Sequence, residues 1–222
     1  MKNQFVGDIN DYYKYGLLRI LSDFGKKKIG VCWMLTPDRT EYLDDPGRWR
    51  NFDRVLFDKL RRIVQARSVR RIQKVEILPK ARFYNEPFKQ GSRHRETYFD
   101  EMLREFAGVD LIFFDPDVGL APSASKSKNR WLHYHELRKA FEMGHSVFVI
   151  QFPWFKKDWV RRQVKQILDA TRATKIYVFR TLAVVFYLAA QRKHVDFFRR
   201  QAQEVKKRWG SQISVTPDPD RE

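Results

Sequence analysis

Two acids follow an apolar run near the middle of the chain, in the segment Phe113-Phe114-Asp115-Pro116-Asp117-Val118-Gly119-Leu120. An apolar run of this kind is typical of a strand buried on both faces. Ligands of open α/β sheets bind beyond the C-terminal ends of the strands, which is where Asp115 would stand. The alternative is that Asp115 and Asp117 only cap a turn, but two acids directly after a buried strand cost more to hold than a turn requires. We therefore predict catalytic roles for Asp115, Pro116 and Asp117.

A second polar segment lies near the N-terminus and has the sequence Gly7-Asp8-Ile9-Asn10-Asp11-Tyr12-Tyr13-Lys14-Tyr15. One interpretation is an ordinary helix start in which Asp8 or Asn10 is the N-cap. The other interpretation is a ligand-binding segment at the same end of the sheet as Asp115. In the second interpretation, Asp115 lies at an open rim of the sheet, formed by the C-terminal ends of its parallel strands. It is then within reach of Lys14 and flanked by cationic loops.

Hydrophobic periodicity divides the chain into alternating strands and helices. The predicted strands are Ile29–Leu35, Lys74–Leu78, Asp110–Phe114, His145–Phe152, Lys175–Arg180 and Ala183–Ala190. The predicted helices are Asp11–Phe24, Asn51–Ala66, Thr97–Phe106, Trp131–Met143, Lys157–Ala170 and Lys193–Trp209. This alternation predicts an α/β fold with a Rossmann-like, mostly parallel sheet and helices on both faces.

The last two predicted strands are separated only by Thr181 and Leu182. Two residues cannot hold a crossover helix, so we expect a C-terminal antiparallel hairpin. No Pro/Gly/Ser-rich linker divides the chain, so we predict one domain over residues 1–215 with helical insertions. Residues 216–222 are expected to form a flexible tail.

A parallel sheet that ends in an antiparallel hairpin is similar to the fold of the class I S-adenosylmethionine-dependent methyltransferases. The N-terminal segment also resembles Gly-Asn-His-Ala-Asp-x-x-Lys-His-x-x-Leu of the adenine methyltransferases of large-subunit ribosomal RNA. Gly7, Asp11, Lys14 and Leu18 fall in register with that pattern. The segment Asp115-Pro116-Asp117-Val118 corresponds to the family's Asp-Pro-Pro-Tyr, which holds and stacks the target adenine.

This resemblance implies S-adenosylmethionine as the cofactor and an exocyclic base amine as the methyl acceptor. It also implies that the N-terminal segment lies by the cofactor, with Lys14 near the methionine carboxylate. The segment Trp33-Met34-Leu35-Thr36-Pro37-Asp38 stands where the family has a Gly-x-Gly loop, and Val118 replaces the stacking tyrosine. The predicted cofactor-binding residues are Gly7, Asp8, Asp11, Lys14, Thr36 and Asp38.

The charge balance predicts a nucleic-acid partner. Lys and Arg total 44 against 27 acids, a formal net charge of +17, and a field of this size attracts polyanions. The segment after the acidic motif is rich in lysine and serine, and aromatic residues follow the strand His145–Phe152; such rings commonly stack on bases. We expect Phe152 itself to pack in the core. The predicted nucleic-acid-binding residues are Lys126, Lys128, Arg130, Trp154, Phe155, Lys156 and Lys157.

Two other functions use the same residues. Asp115 and Asp117, with Asp8 or Asp11 nearby, would hold Mg²⁺ in a metal-dependent nuclease or phosphodiesterase. Asp44 and Asp45 are further candidate ligands in this alternative. A catalytically inactive protein that only binds RNA or DNA would need only the basic surface. The sequence leaves both alternatives open.

Other kinds of site are not expected. Cys32, the only cysteine, lies in an apolar run. His133 and His135 stand two apart on a predicted helix, so they should point to different faces, and no metal-ligand spacing is present. No Ser-His-Asp arrangement is apparent, so nucleophilic catalysis is not expected. The first residues lack an apolar signal region and the longest apolar run, Leu182–Ala190, is too short to span a bilayer, so we expect a cytoplasmic protein without a membrane partner.

Overall fold

The computed structural model describes residues 8–35, 50–64, 70–88, 92–122, 130–154 and 157–217 of the chain. Its helices are α1 Ile9–Leu21, α2 Arg54–Val64, α3 Arg70–Lys74, α4 Ser92–Glu105, α5 Tyr134–Glu142, α6 Trp159–Thr171 and α7 Val195–Trp209. Its strands are β1 Ile29–Cys32, β2 Arg82–Tyr84, β3 Leu111–Phe114, β4 Gly119–Leu120, β5 Trp131–Leu132, β6 Ser146–Gln151, β7 Lys175–Arg180, β8 Val185–Ala190 and β9 Ser214–Pro217.

The central sheet has seven strands in the order β2-β1-β3-β6-β8-β7-β9. Strand β1 pairs in parallel with β2 and β3, and β3 pairs in parallel with β6. Strand β8 is antiparallel to both β6 and β7, so β7 runs in the same direction as β6. The predicted α/β fold with a mostly parallel sheet and a C-terminal antiparallel hairpin is therefore confirmed.

Helices cover both faces of this sheet. Met102 of α4, Leu137 of α5 and Ile167 of α6 belong to the apolar core on one face. Leu18 of α1 and Val205 of α7 belong to the core on the other face, together with residues of α2. Strands β1, β3 and β6 are buried along their whole length, as expected for strands covered on both sides.

The prediction of a strand at Lys74–Leu78 is wrong. Helix α3 ends at Lys74 and the chain then turns, and the strand that pairs with β1 is β2, Arg82–Tyr84. Side chains satisfy the backbone of the turn, because Arg19 donates to the carbonyl of Ile77 (3.0 Å) and Lys59 donates to the carbonyl of Glu76 (2.9 Å). The apolar residues Ile77 and Leu78 are buried without being part of a strand.

Three further predictions need correction. Trp131 and Leu132 form β5 beside β4 instead of starting a helix, and helix α5 begins at Tyr134. His133 therefore precedes the helix, and its ring stacks on that of His135 at 5.5 Å instead of pointing to another face. Thr216 of the predicted flexible tail pairs with Val178 of β7, and Pro217 pairs with Tyr177, so the sheet extends to residue 217. Residues 218–222 lie outside the described part of the chain.

Among the described residues, no helix combines the length and the apolar character that crossing a bilayer requires.

Candidate active site

The candidate site lies where β1, β3 and β6 end. Because these strands are parallel neighbours, their C-terminal ends meet at one edge of the sheet, which we call the rim. Asp115 is the first residue after β3, and its backbone N–H donates to the carbonyl of Cys32 at the end of β1 (3.0 Å). The structure therefore places Asp115 at the rim, as the sequence predicted.

Helix α1 brings the N-terminal segment to the same place. Asp8 is its N-cap and accepts a hydrogen bond from the backbone N–H of Asp11 (2.8 Å). One turn later, the Lys14 ammonium lies 2.5 Å from Asp11 Oδ1 and 2.8 Å from Asp115 Oδ2. The helix-cap and ligand-site interpretations of this segment are thus compatible, since the capped helix carries Lys14 to Asp115.

The Lys14–Asp115 pair is buried instead of open to solvent. Asp115 is only 5% exposed, Lys14 is 3% exposed and Asp11 is 2% exposed. The sequence predicted an open rim, and the difference arises because the Lys14 side chain of α1 lies directly against Asp115. Asp115 is nonetheless in contact with charged groups at a strand end and not within the apolar core.

The electrostatics keep Lys14 charged. Burial lowers the pKa of Lys14, but the adjacent carboxylates of Asp11 and Asp115 outweigh burial and hold that pKa well above its usual value. The neighbouring Tyr15 hydroxyl accepts a hydrogen bond from Trp33 Nε1 (2.9 Å), and burial raises the pKa of Tyr15 well above its usual value. The site therefore contains a charged lysine beside a neutral phenol.

Gln151, at the end of β6, fixes the loop that carries Asp115 and Asp117. Its Oε1 accepts from the backbone N–H of Leu120 (2.8 Å), and its Nε2 donates to the carbonyl of Val118 (3.1 Å). Gln163 of α6 donates to the same Oε1 (2.8 Å). Sequence analysis missed this brace, whose only signal was a polar residue at the end of an apolar strand.

Gly119 makes the brace possible. Its φ is +118°, and a Cβ at this position would stand 2.3 Å from Gln151 Oε1. Only glycine fits both the backbone conformation and the close approach. The glycine of the acidic segment thus has a structural role that its position in the sequence did not reveal.

Of the loop after β1, the structure describes only Trp33, Met34 and Leu35. Trp33 is fully buried, and Met34 adopts φ +46°, a left-handed conformation that is uncommon for a residue with a side chain. Leu35 then forms a bridge with Pro87. The predicted cofactor residues Thr36 and Asp38 lie outside the described residues, as does Gly7.

The described members of the predicted nucleic-acid surface lie near the rim. Trp154 follows β6, is half-buried and packs near Trp159 with ring centroids 6.4 Å apart. Arg130 is 54% exposed and lies 3.6 Å from Asp117, and Lys157 is exposed just before α6. Phe152 packs against the core as expected. The predicted residues Lys126, Lys128, Phe155 and Lys156 lie outside the described part of the chain.

The carboxylates of the metal alternative do not form a compact ligand set. Within the described residues, no group of three or more His, Cys, Asp or Glu side chains is arranged to hold a metal ion. Asp8 caps α1, Asp117 faces Arg130, and the Lys14 ammonium lies beside Asp115. Asp44 and Asp45 lie outside the described residues.

A Ser-His-Asp arrangement is present after all, at the opposite edge of the sheet. His194 Nδ1 lies 2.9 Å from Ser146 Oγ, and His194 Nε2 lies 3.3 Å from Asp110 Oδ1. Ser146 has no exposed surface, and its Oγ also accepts from the backbone N–H of Gln191 (3.0 Å). This arrangement ties the starts of β3 and β6 to the turn before α7, and its serine is inaccessible to a substrate.

The comparisons with known proteins find similarity only among solved structures. No protein-family model matches the chain, and no curated protein matches it. Among solved structures, the chain is similar to the crystal structure of protein LPL1258 from Legionella pneumophila str. Philadelphia 1, whose description names the family model DUF519. The two chains are 10% identical, the alignment covers 96% of this chain and 97% of the other, and the TM-score is 0.42. A likeness at this level assigns neither a family nor an activity.

Proposed function

We propose that the protein is a nucleic-acid methyltransferase that transfers a methyl group from S-adenosylmethionine to an exocyclic amine of a base. The observation that carries the proposal is the buried ion pair between Lys14 and Asp115, 2.8 Å apart. These residues are 101 positions apart in the chain and belong to the two segments that resemble the adenine methyltransferases. Their meeting at the rim is what a shared site for cofactor and target base requires.

Lys14 fits the cofactor, because a buried ammonium that keeps its charge is a suitable partner for a ligand carboxylate. In this proposal Lys14 holds the methionine carboxylate, while Asp8 and Asp11 fix the first turns of α1 around it. Gly7, Thr36 and Asp38 are the other proposed cofactor contacts. The bound cofactor supplies an electrophilic methyl group on a sulfonium.

Asp115 and Pro116 position the acceptor. The lone pair of an exocyclic amine is delocalised into the base, so it must be freed and aimed at the methyl carbon. The Asp115 carboxylate and the Pro116 carbonyl accept hydrogen bonds from the amine N–H groups, which raises electron density on nitrogen. The bound cofactor would supply the methyl group, and the proton that the amine loses in exchange would pass to solvent. Positioning supplies most of the rate, and Asp115 stabilises the positive charge that develops on nitrogen.

The rim supplies contacts for the polymer. Arg130 and Lys157, both exposed, are proposed to contact phosphates, and Trp154 is proposed to offer a ring on which a base stacks. Lys126, Lys128, Phe155 and Lys156 are proposed to extend this surface. Phosphate contacts of this kind position the substrate and carry little sequence information.

The metal-dependent alternative has less support from the geometry. A cation at Asp115 would compete with the Lys14 ammonium, which is already 2.8 Å from that carboxylate. A purely binding role does not by itself account for the buried charges of Asp11, Lys14 and Asp115 at this strand end, which are costly to desolvate.

The test is methyl transfer from S-adenosylmethionine carrying a labelled methyl group to total RNA and to genomic DNA. We expect the wild-type protein to label one of them and Asp115→Asn to reduce labelling by at least about 100-fold. Asp110→Asn, at the other end of β3, is the matched control and should retain labelling. Mg²⁺-dependent strand cleavage that Asp117→Ala abolishes, without any methyl transfer, would overturn the proposal in favour of a nuclease.

A further inference from the structure

The tip of the β7–β8 hairpin presents an apolar side chain to solvent. Leu182 is 93% exposed, the highest value among the large apolar residues that the structure describes as exposed. The others, Val55, Met143 and Phe24, range from 40% to 55%. Single exposed leucines are common on protein surfaces. The hydrogen bonds that hold the turn and the position of the turn in the sheet are therefore the relevant observations.

The tip is held rigidly. The backbone N–H of Thr181 donates to the carbonyl of Val184 (2.9 Å), and the Thr181 hydroxyl donates to the same carbonyl (3.0 Å). The hydroxyl oxygen also accepts from the backbone N–H groups of Ala183 (3.2 Å) and Val184 (3.0 Å). Leu182 therefore stands on a closed turn, so little conformational entropy is lost when it enters a partner.

The tip also stands at the rim that carries Asp115. Val185 of β8 is in register with Gln151 of β6 on one side and with Arg180 of β7 on the other. The hairpin therefore turns at the same edge at which β3 delivers Asp115. Since β6 alone separates β3 from β8, the spacing of strands puts the tip about 10–14 Å from Asp115 along the rim.

Exposed cations lie at the same edge of the sheet as the tip. Arg180 is exposed at the base of the turn, and Lys157 and Arg162 are exposed at the start of α6, which follows β6. An exposed leucine flanked by cations is complementary to a nucleic acid, because the leucine can contact the apolar faces of stacked bases while the cations contact the surrounding phosphates.

We propose that Leu182 is inserted between stacked bases of the nucleic-acid substrate, beside the position from which the target base is withdrawn. The inference rests on the proposed function, because a base must leave its stack before Asp115 can reach its amine. The withdrawn base leaves a gap in the stack. Leu182 fills that gap, as apolar side chains do in proteins that unstack base steps.

The test uses short RNA and DNA hairpins that contain 2-aminopurine, whose fluorescence rises when the base is unstacked. We expect the wild-type protein to bind one hairpin and to raise its fluorescence. Leu182→Ala should bind about tenfold more weakly and lose the fluorescence increase. The dependence of affinity on salt should remain that of the wild type, because no charge is removed.

Two variants complete the design. Met143→Ala truncates another exposed apolar residue, 51% exposed and located just before β6 at the opposite edge, and should behave as the wild type. Arg180→Ala should instead reduce the salt slope by about one unit. If Leu182→Ala matches Met143→Ala in both affinity and fluorescence, the insertion is refuted while nucleic-acid binding stands. If the wild-type protein binds neither hairpin at low salt, the proposed function itself fails.

Discussion

Lys14 is the residue on which the candidate site depends most. Its ammonium joins Asp11 of its own helix to Asp115 of the neighbouring strand end, and all three side chains are buried. Buried ion pairs contribute little net stability compared with apolar side chains of the same size, but removing one partner alone is costly. The geometry therefore makes Lys14 necessary both for the shape of the rim and for its charge.

Lys14→Met should lower the free energy of unfolding by about 3–5 kcal/mol, because it removes a positive charge from two buried carboxylates. Urea denaturation at neutral pH measures the change. Lys26→Met is the matched control, since Lys26 pairs with Asp23 at 2.8 Å but its side chain is 78% exposed. Exposed pairs contribute at most about 1 kcal/mol, so equal effects of the two substitutions would contradict the buried pair.

His133 gives the fold a dependence on pH. Burial lowers the pKa of His133 from 6.5 to about 4, and the positive charge of Arg95 acts in the same direction. As the pH falls through this interval, the unfolded chain takes up a proton that the folded chain excludes. The stabilising contribution is thus complete above pH 6.5 and decreases toward pH 4.

In His133→Gln, the free energy of unfolding should fall by about 1–2 kcal/mol less than in the wild type as the pH is lowered over this interval. This figure is reduced because the ring is partly exposed. The measurement is urea denaturation of both proteins at about pH 7 and about pH 4.5. His135→Gln, at a side chain that is 73% exposed, should change the profile much less than His133→Gln, because His135 is the smallest of the three causes that lower the pKa of His133. A profile that is equally steep in His133→Gln and in the wild type would show that another group is responsible.

At the scale of the elements, two hydrogen bonds from the Gln151 side chain to the backbone around Gly119 help to hold the loop between β3 and β4. Gly119→Ala forces a Cβ to within 2.3 Å of Gln151 Oε1 at a φ of +118°. We expect a loss of about 2–4 kcal/mol. Gly108→Ala is also at positive φ, +76°, but has nothing within 4 Å of its Cβ, so it should lose only about 1 kcal/mol. A similar loss for both variants would mean that Gln151 does not brace the loop.

The strands that carry the site could be predicted from the sequence, because β3 and β6 are apolar runs that end in polar or proline-containing turns. Strand β2 could not be predicted from the sequence. Its three residues, Arg82–Tyr84, are too few to show a pattern. The longer Lys74–Leu78 segment has the residues of a strand but is held by the side chains of Arg19 and Lys59. Such long-range contacts leave no local signal.

The same limit applies to the site. Asp115 and Lys14 were singled out by residue type, position after a strand and resemblance to a family, and the structure brings them together. Gln151 was missed because its role depends on which loop lies beside the end of β6. The pairing of Ser146 with His194 was missed for the same reason, since 48 residues separate them.

At the scale of the whole molecule, the net charge of +17 should dominate association with nucleic acid. We expect affinity for RNA or DNA to fall steeply as salt increases. Lys157→Ala, just before α6 at the rim, should reduce the slope of log affinity against log salt by about one unit. Fluorescence anisotropy over a salt series measures this slope.

Lys193→Ala serves as the control, because Lys193 is exposed after β8 at the opposite edge of the sheet. It removes the same charge from the molecule and should leave the slope unchanged. An equal effect of both substitutions would indicate that binding responds to total charge and not to the rim.

If the protein is the proposed methyltransferase, S-adenosylmethionine binds at the rim, beside Lys14 and Asp115. Isothermal titration calorimetry of the folded protein with S-adenosylhomocysteine, the product left after methyl transfer, tests this most directly. We predict micromolar binding to the wild type and to Lys26→Met, and a loss of at least about tenfold in Lys14→Arg, which keeps the charge but changes its geometry. If the wild-type protein, with its fold verified by circular dichroism, gives no heat of binding, the proposed cofactor site is ruled out.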